Sequence, residues 1–228
     1  MDEWRTILYP LGFLSVLLFG LRFLVQWWQS EKAHKSVTSE LFWHLSLAGN
    51  LMLFVHSFIQ IQIHICLIQA CNAIISWRNL NMMQKKAPPV SFKTVIYLMI
   101  GAILATIFAF KAQEIALNQP SIWFRVPIAP WQTESPQSIP LFWHILGGLA
   151  YCLFSIRFWV QWWATEISKT SLFPKSFWWL SLIGALFSII YFYHIHDSVN
   201  LIGPLLGIIP YVRNILLMQK SRMSSQNG

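Results

Sequence analysis

Leu41–Trp77, LFWHLSLAGNLMLFVHSFIQIQIHICLIQACNAIISW, holds no Asp, Glu, Lys or Arg. Drawn as one helix it would run roughly 55 Å at about 1.5 Å per residue, nearly twice a bilayer core of about 30 Å. It must be two helices joined by a tight turn, and the alternation of Gln and His with isoleucine places that turn near Gln60 to His64. The rest of the chain is written for the same solvent. Of its 228 residues 56% are hydrophobic, 16% aromatic and only 11% charged, where soluble domains carry about a quarter charged. The pattern predicts seven membrane-spanning helices, at approximately Ile7–Trp28, Leu41–Ile59, Ile63–Met82, Phe92–Phe110, Leu141–Trp163, Ser176–Tyr193 and Val199–Met218. The expected fold class is an all-α membrane protein.

No secretory signal peptide is expected, because Asp2 and Glu3 stand where a basic leader would be and no small-residue cleavage site follows the first apolar run. Cys66, Cys71 and Cys152 all fall within predicted spans and read as buried, inert thiols. The net charge of +8 would suggest a nucleic-acid partner in a soluble protein, but in a membrane protein the loops that hold it matter instead. With the N-terminus outside, eleven basic residues fall on inner segments: Lys32, Lys35, Arg78, Lys85, Lys86, Lys93, Lys169, Lys175, Arg213, Lys220 and Arg222. Only Arg5, Lys111 and Arg125 fall outside, so the bias predicts an outer N-terminus and a cytoplasmic C-terminus.

One pattern occurs twice at a constant offset. Arg22-Phe23-Leu24-Val25-Gln26-Trp27-Trp28, Glu31, Ser36, Phe42-Trp43, Leu45-Ser46-Leu47, Gly49 and Arg78-Asn79 return as Arg157-Phe158-Trp159-Val160-Gln161-Trp162-Trp163, Glu166, Ser171, Phe177-Trp178, Leu180-Ser181-Leu182, Gly184 and Arg213-Asn214. Residue 22 returns at 157 and residue 78 at 213, an offset of 135 without a gap. Such a register reads as two copies of a three-helix unit. An odd number of spans would leave the second copy inverted, so the unmatched span Phe92–Phe110 restores its direction. The predicted arrangement is 3+1+3, with parallel repeats at 1–86 and 141–220, a linker helix at 87–111, an outer irregular loop at 112–140 and a disordered cytoplasmic tail at 221–228.

The repeated signature R-F-x-x-Q-W-x-x-[ST]-E, then F-W-x-x-S-L-x-G and a closing R-N, resembles the lipid A biosynthesis N-terminal domain family. That family includes the membrane extension of some bacterial lipid-A-disaccharide synthases, and it is similar in fold to the PQ-loop and SWEET membrane proteins. Ser39 stands where the second copy has the more typical Pro174, and Ile68-Gln69 corresponds to Gly203-Pro204. The resemblance implies an inner-membrane protein of lipid A biosynthesis in a bacterium. It implies that the chain anchors a cytosolic glycosyltransferase or presents its phosphoglycolipid substrate, a lipid A precursor. The associated reaction is transfer of diacylglucosamine from a UDP donor to a monosaccharide phosphate acceptor. No glycosyltransferase domain is recognisable in this sequence. The alternative is a SWEET-like transporter or flippase of a sugar, glycolipid or small polar solute, whose midplane site would draw on Asn50, Gln69, Asn72 and Ser188.

The repeated polar residues are the candidate ligand-binding set: Arg22, Gln26, Glu31, Arg78 and Asn79 in the first copy, and Arg157, Gln161, Glu166, Arg213 and Asn214 in the second. Arg22 and Gln26, like Arg157 and Gln161, share one helix face. Charge at that depth is costly unless paired or hydrated, so the ten are expected to form two inner polar clusters, one per copy. Glutamate neutralising arginine at the lipid boundary is one reading. Two arginines to one glutamate per copy also suit a phosphate or diphosphate headgroup. The Trp27-Trp28 and Trp162-Trp163 pairs, with Trp43 and Trp178-Trp179, read as an aromatic belt, with sugar stacking as the alternative. Gly203 and Gly207 read as a small-residue packing face, and Pro204 and Pro210 as bends. His194-Ile195-His196-Asp197 supplies too few ligands for a metal and reads as an interfacial turn. The motifs of nucleotide loops, zinc helices and serine hydrolases are absent. No catalytic residue, cofactor, metal or nucleic-acid partner is expected.

Overall fold

The turn expected near Gln60 to His64 is a helix cap. In the computed structural model, which describes residues 6–84, 88–117, 140–194 and 198–226, α2 (Glu40–Ile59) gives way to α3 (Ile63–Met83) across three residues. The Ile61 N–H donates to the Phe58 carbonyl at 3.1 Å and the Gln62 N–H to Ser57 at 3.0 Å, the paired bonds of a Schellman cap. Ile61 takes the left-handed position, φ 60°, where glycine is usual. Its side chain packs with Phe54, Phe58 and Leu67 around buried Ile63, Cys66 and Phe110, and that apolar contact offsets about 1–2 kcal/mol of backbone strain.

Four further helices are α4 (Phe92–Leu117), α5 (Leu141–Ser168), α6 (Lys175–His194) and α7 (Ser198–Gln226), and α1 (Pro10–Ala33) precedes them all. No strand occurs among the described residues. Among the described residues six helical stretches are long and apolar enough to cross a bilayer: Thr6–Ala33, Glu40–Ile59, Phe92–Ala116, Leu141–Ser168, Lys175–His194 and Leu201–Lys220. The remaining segment predicted to span forms a helix, α3, 21 residues long. It is not as apolar as the others, because Gln69, Asn72, Ser76, Arg78 and Asn79 lie along it and are buried. Side chains on the outer surfaces are apolar; Phe108 is 75% exposed and Leu206 65%, which water would not tolerate over whole helices. The chain is a helical membrane protein.

Several helices outrun their predicted ends. α4 continues past Phe110 to Leu117, so the irregular loop begins later than expected, and residues 118–139 of it lie outside the described residues. α7 continues to Gln226, into the tail predicted to be disordered, of which 227–228 lie outside the described residues. Polar residues at these ends need water, not lipid, and helix hydrogen bonds persist there. α1 and α5 both stop on a residue in the left-handed conformation, His34 (φ 50°) and Lys169 (φ 56°), positions related by the offset of 135.

The described chain forms two compact units that do not follow chain order. One comprises residues 1–19 and 43–137, the other 20–42 and 138–228. α1 is thereby shared: its first half belongs with α3 and α4, and its second half with α5, α6 and α7. In the first unit α3 packs on α4, and Gln113 Nε2 of α4 donates to the Phe58 carbonyl at 3.2 Å, satisfying the end of α2. In the second, α6 packs on α5 and on α7.

The repeated glycines mark close approaches inside each unit. A Cβ on Gly49 would stand 2.6 Å from the Phe19 ring, and one on Gly184 would meet Leu153 and Phe154 at 3.3 and 3.4 Å. Gly203 faces open space, which corrects its assignment to a small-residue packing face, and the neighbour of Gly207 is the Tyr211 ring one turn on in its own helix. Cys66 and Cys71 are buried as expected, whereas Cys152 is exposed on the apolar surface of α5.

Candidate functional site

Gln26 is a primary amide inside an apolar helix, and such a group must find partners. It is fully buried, and Nε2 donates to Ser30 Oγ at 2.8 Å and to Asn214 Oδ1 at 2.9 Å, with the Val37 carbonyl at 3.5 Å. Asn214 Nδ2 returns a bond to Gln26 Oε1 at 3.1 Å and another to the Pro210 carbonyl at 2.8 Å. The local half of this pattern recurs at the offset of 135. Gln161 Nε2 donates to Thr165 Oγ1 at 2.9 Å and to the Leu172 carbonyl at 3.1 Å, while Asn79 Nδ2 donates to the Ile75 carbonyl at 2.9 Å. The repeated glutamates behave alike: Trp27 Nε1 donates to Glu31 at 3.2 Å and Trp162 Nε1 to Glu166 at 3.0 Å.

The sequence predicts a polar cluster for each copy, and the bonds run otherwise. In the second unit Gln26 pairs with Asn214, and Glu31 accepts both Nε and Nη2 of Arg213, the latter at 2.7 Å. These partners are first-copy residues bonded to second-copy residues. The correction is physical: groups at equal depth pair with the nearest complementary group, whatever their order in the chain. Glu166 is buried and has Lys169 Nζ at 3.9 Å from Oε2. In the first unit buried Arg78 donates through Nη1 to Asn81 Oδ1 at 3.0 Å and to the Val90 carbonyl at 2.7 Å. Asn81 Oδ1 also accepts the Val90 N–H at 2.9 Å, so Arg78 and Asn81 hold the chain after α3 in place. For Glu31 with Arg213 the neutralising reading holds, and Arg78 serves the backbone.

Arg22 and Arg157 occupy a different setting, in the second unit. Arg157 is 6% exposed, and its Nη1 donates to Ser181 Oγ and Tyr211 Oη, both at 3.1 Å. Its guanidinium carbon lies 4.6 Å from the Phe154 ring centroid, 5.0 Å from Phe158 and 5.5 Å from both Phe23 and Phe177. Arg22, 4% exposed, lies 5.0 Å from Phe23, 5.0 Å from Phe158 and 5.5 Å from Phe42. Both guanidinium groups therefore lie against the same two rings, Phe23 and Phe158. Ring faces attract cations, at about 2 kcal/mol or more when desolvated, and so offset part of what burying each guanidinium costs.

Sequence reasoning missed Tyr211, whose counterpart in the first copy is Ser76 and which therefore falls outside the repeated pattern. Phe23 and Phe158 lie inside the repeat, next to each arginine; that adjacency was the available signal for a cation–ring site. The tryptophans divide. Trp28, Trp163 and Trp179 are exposed as an interfacial belt requires, and Lys32 Nζ sits 4.8 Å over the Trp28 ring. Trp43, Trp162 and Trp178 are instead core residues. His194 stacks on Trp143 at 3.5 Å, and 195–197, the remainder of the histidine-aspartate turn, lie outside the described residues.

Comparison with known proteins accounts for this pattern. The profile of the Lipid A Biosynthesis N-terminal domain matches residues 11–81 and matches again at 146–216. The chain belongs to that family. Lipid A Biosynthesis N-terminal domain sequences thus cover the helices that carry all ten repeated polar residues. The chain is also 34% identical over 220 residues to the lipid-A-disaccharide synthase of Chlamydia pneumoniae, covering 96% of this chain and 35% of that protein. To the lipid-A-disaccharide synthase of Chlamydia felis it is 33% identical over 224 residues, covering 95% of this chain and 34% of the relative. To that of Chlamydia muridarum it is 34% identical over 221 residues, covering 93% and 34%. The chain spans about a third of the length of the curated relatives it matches. No solved structure matches it.

Proposed function

We propose that this chain is the membrane module of lipid A disaccharide synthesis, holding the phosphoglycolipid precursor at the cytosolic surface for a lipid-A-disaccharide synthase. The observation that carries the reading is similarity along 96% of the chain to one portion of a protein of that name. The module lies in a bacterial inner membrane with its N-terminus outside and its C-terminus in the cytoplasm, where eleven of the basic residues gather. In this reading the two three-helix copies have equal polarity, α4 is the single crossing between them, and Lys32 and Lys169 lie on the same side of the membrane. The glycosyl transfer itself belongs to the partner enzyme.

The test uses the Chlamydia pneumoniae synthase with its matching third removed, co-expressed with this chain or fused to it. Membrane vesicles carrying both should form disaccharide from UDP-diacylglucosamine and the monosaccharide phosphate faster than vesicles with the truncated enzyme alone. Equal rates with and without the chain would refute the reading. A second reading, transport of a polar solute, is favoured by α3, where the buried Gln69 Oε1 and Asn72 Oδ1 lack hydrogen-bond partners. Solute uptake by vesicles containing the chain alone is its test.

A further inference from the structure

We propose that Arg22 and Arg157 together form one phosphate site, which binds a single phosphomonoester headgroup per chain, rather than one site per repeat. The proposal deepens the substrate-presenting role above and rests on it only for the lipid; the arginine pair stands on its own geometry. Both guanidinium carbons lie 5.0 Å from the Phe158 centroid. The two cations are therefore within about 10 Å of each other, a range over which like charges repel strongly in a medium of low dielectric.

Among the described residues Arg157 has no acidic partner. Its hydrogen bonds go to two neutral hydroxyls, those of Ser181 and Tyr211, and Nε is buried without an acceptor. Among the described residues the ion pairs of Glu31, Glu114 and Glu166 go to Arg213, Lys111 and Lys169. A buried cation with a like charge beside it is stable only with a counter-anion, and ring faces alone supply a small part of what desolvation costs. A phosphomonoester near −2 matches two guanidinium groups in charge, and its oxygens match their forked donors. The Tyr211 hydroxyl, whose oxygen accepts from Arg157, adds a donor on that side, whereas the Ser181 hydroxyl already donates to the Phe177 carbonyl at 2.6 Å. Phenyl rings around the pair suit a headgroup whose acyl chains stay in lipid.

The experiment uses the full chain in nanodiscs of phosphatidylcholine containing phosphatidic acid, read by native mass spectrometry after extraction. The wild type should retain one phosphatidic acid per chain. Arg157→Gln should lower retention at least tenfold, and Arg22→Gln as much, since both guanidinium groups hold one anion; Lys35→Gln, which removes an exposed charge, should leave it unchanged. Tyr211→Phe, which keeps both charges, should weaken retention several-fold and covers the case of an arginine variant that does not fold, as checked by circular dichroism and gel filtration. Inorganic phosphate titrated into phosphatidylcholine nanodiscs separates the sources: protection against thermal unfolding by millimolar phosphate, lost in Arg157→Gln, assigns the site to free phosphate instead of a lipid headgroup. Retention that is unchanged in folded Arg157→Gln, or two lipids per chain lost independently by the two substitutions, would overturn the proposal. A chain that retains the lipid yet fails to support the truncated synthase would refute the functional reading and leave the site intact.

Discussion

Replacement of Gln26 by leucine tests the pairing of the first copy with the second most directly. Leucine keeps the volume and removes both polar atoms. Asn214 then keeps its Nδ2 bond to the Pro210 carbonyl, but its Oδ1 loses the donor now 2.9 Å away. An orphaned buried acceptor costs about 1–3 kcal/mol, and interhelical hydrogen bonds in membranes average about 0.6 kcal/mol, so the expected loss is about 2 kcal/mol. Asn214→Leu orphans Gln26 Oε1, while Nε2 keeps Ser30 Oγ at 2.8 Å, and should cost about the same. The double variant leaves no orphan across the pair. It should also cost about 2 kcal/mol, giving a coupling of about 2 kcal/mol where independent sites add within about 0.5 kcal/mol. The assay is the folded fraction over an SDS titration in mixed micelles for all four proteins of the cycle. Additive single losses would show that the amides do not bond one another, and the pairing argued from them would fall.

Gly49→Ala should cost about 1–3 kcal/mol in the same titration, because the added carbon would stand 2.6 Å from the Phe19 ring, while Gly20→Ala, with open space around it, should be neutral or gain up to about 1 kcal/mol of helix propensity. His34→Gly and Lys169→Gly should each stabilise by about 0.5–1 kcal/mol by releasing left-handed strain at exposed helix ends; a loss from both would contradict the cap geometry. Glu31→Gln should shift the titration midpoint only slightly, and added salt should shrink the difference from wild type, since both members of the pair with Arg213 are partly exposed. In detergent, N-ethylmaleimide should label Cys152 of the folded chain first, with Cys66 and Cys71 reacting only after unfolding; simultaneous labelling of all three would refute their burial.

Composition and charge-free length alone decided that the chain is helical and lives in lipid, because a backbone in hydrocarbon has to satisfy its own hydrogen bonds. The turn at Gln60 was legible for the same reason, as a run too long for one crossing. The recurrence of Gln26 at 161 and of Glu31 at 166 was legible too, along with the local bonds each makes within its own helix, since those depend only on spacing. The partners were not legible. That Gln26 meets Asn214, that Glu31 meets Arg213, and that Arg22 and Arg157 lie against the same phenyl rings depends on which half of α1 packs with α5, α6 and α7. Two copies of one pattern offer every polar group two equivalent partners of the same chemistry, and only packing in three dimensions chooses between them. Tyr211 shows the same limit: its counterpart in the first copy is Ser76, not a tyrosine, and its place beside Arg157 comes from the approach of α7 to α5.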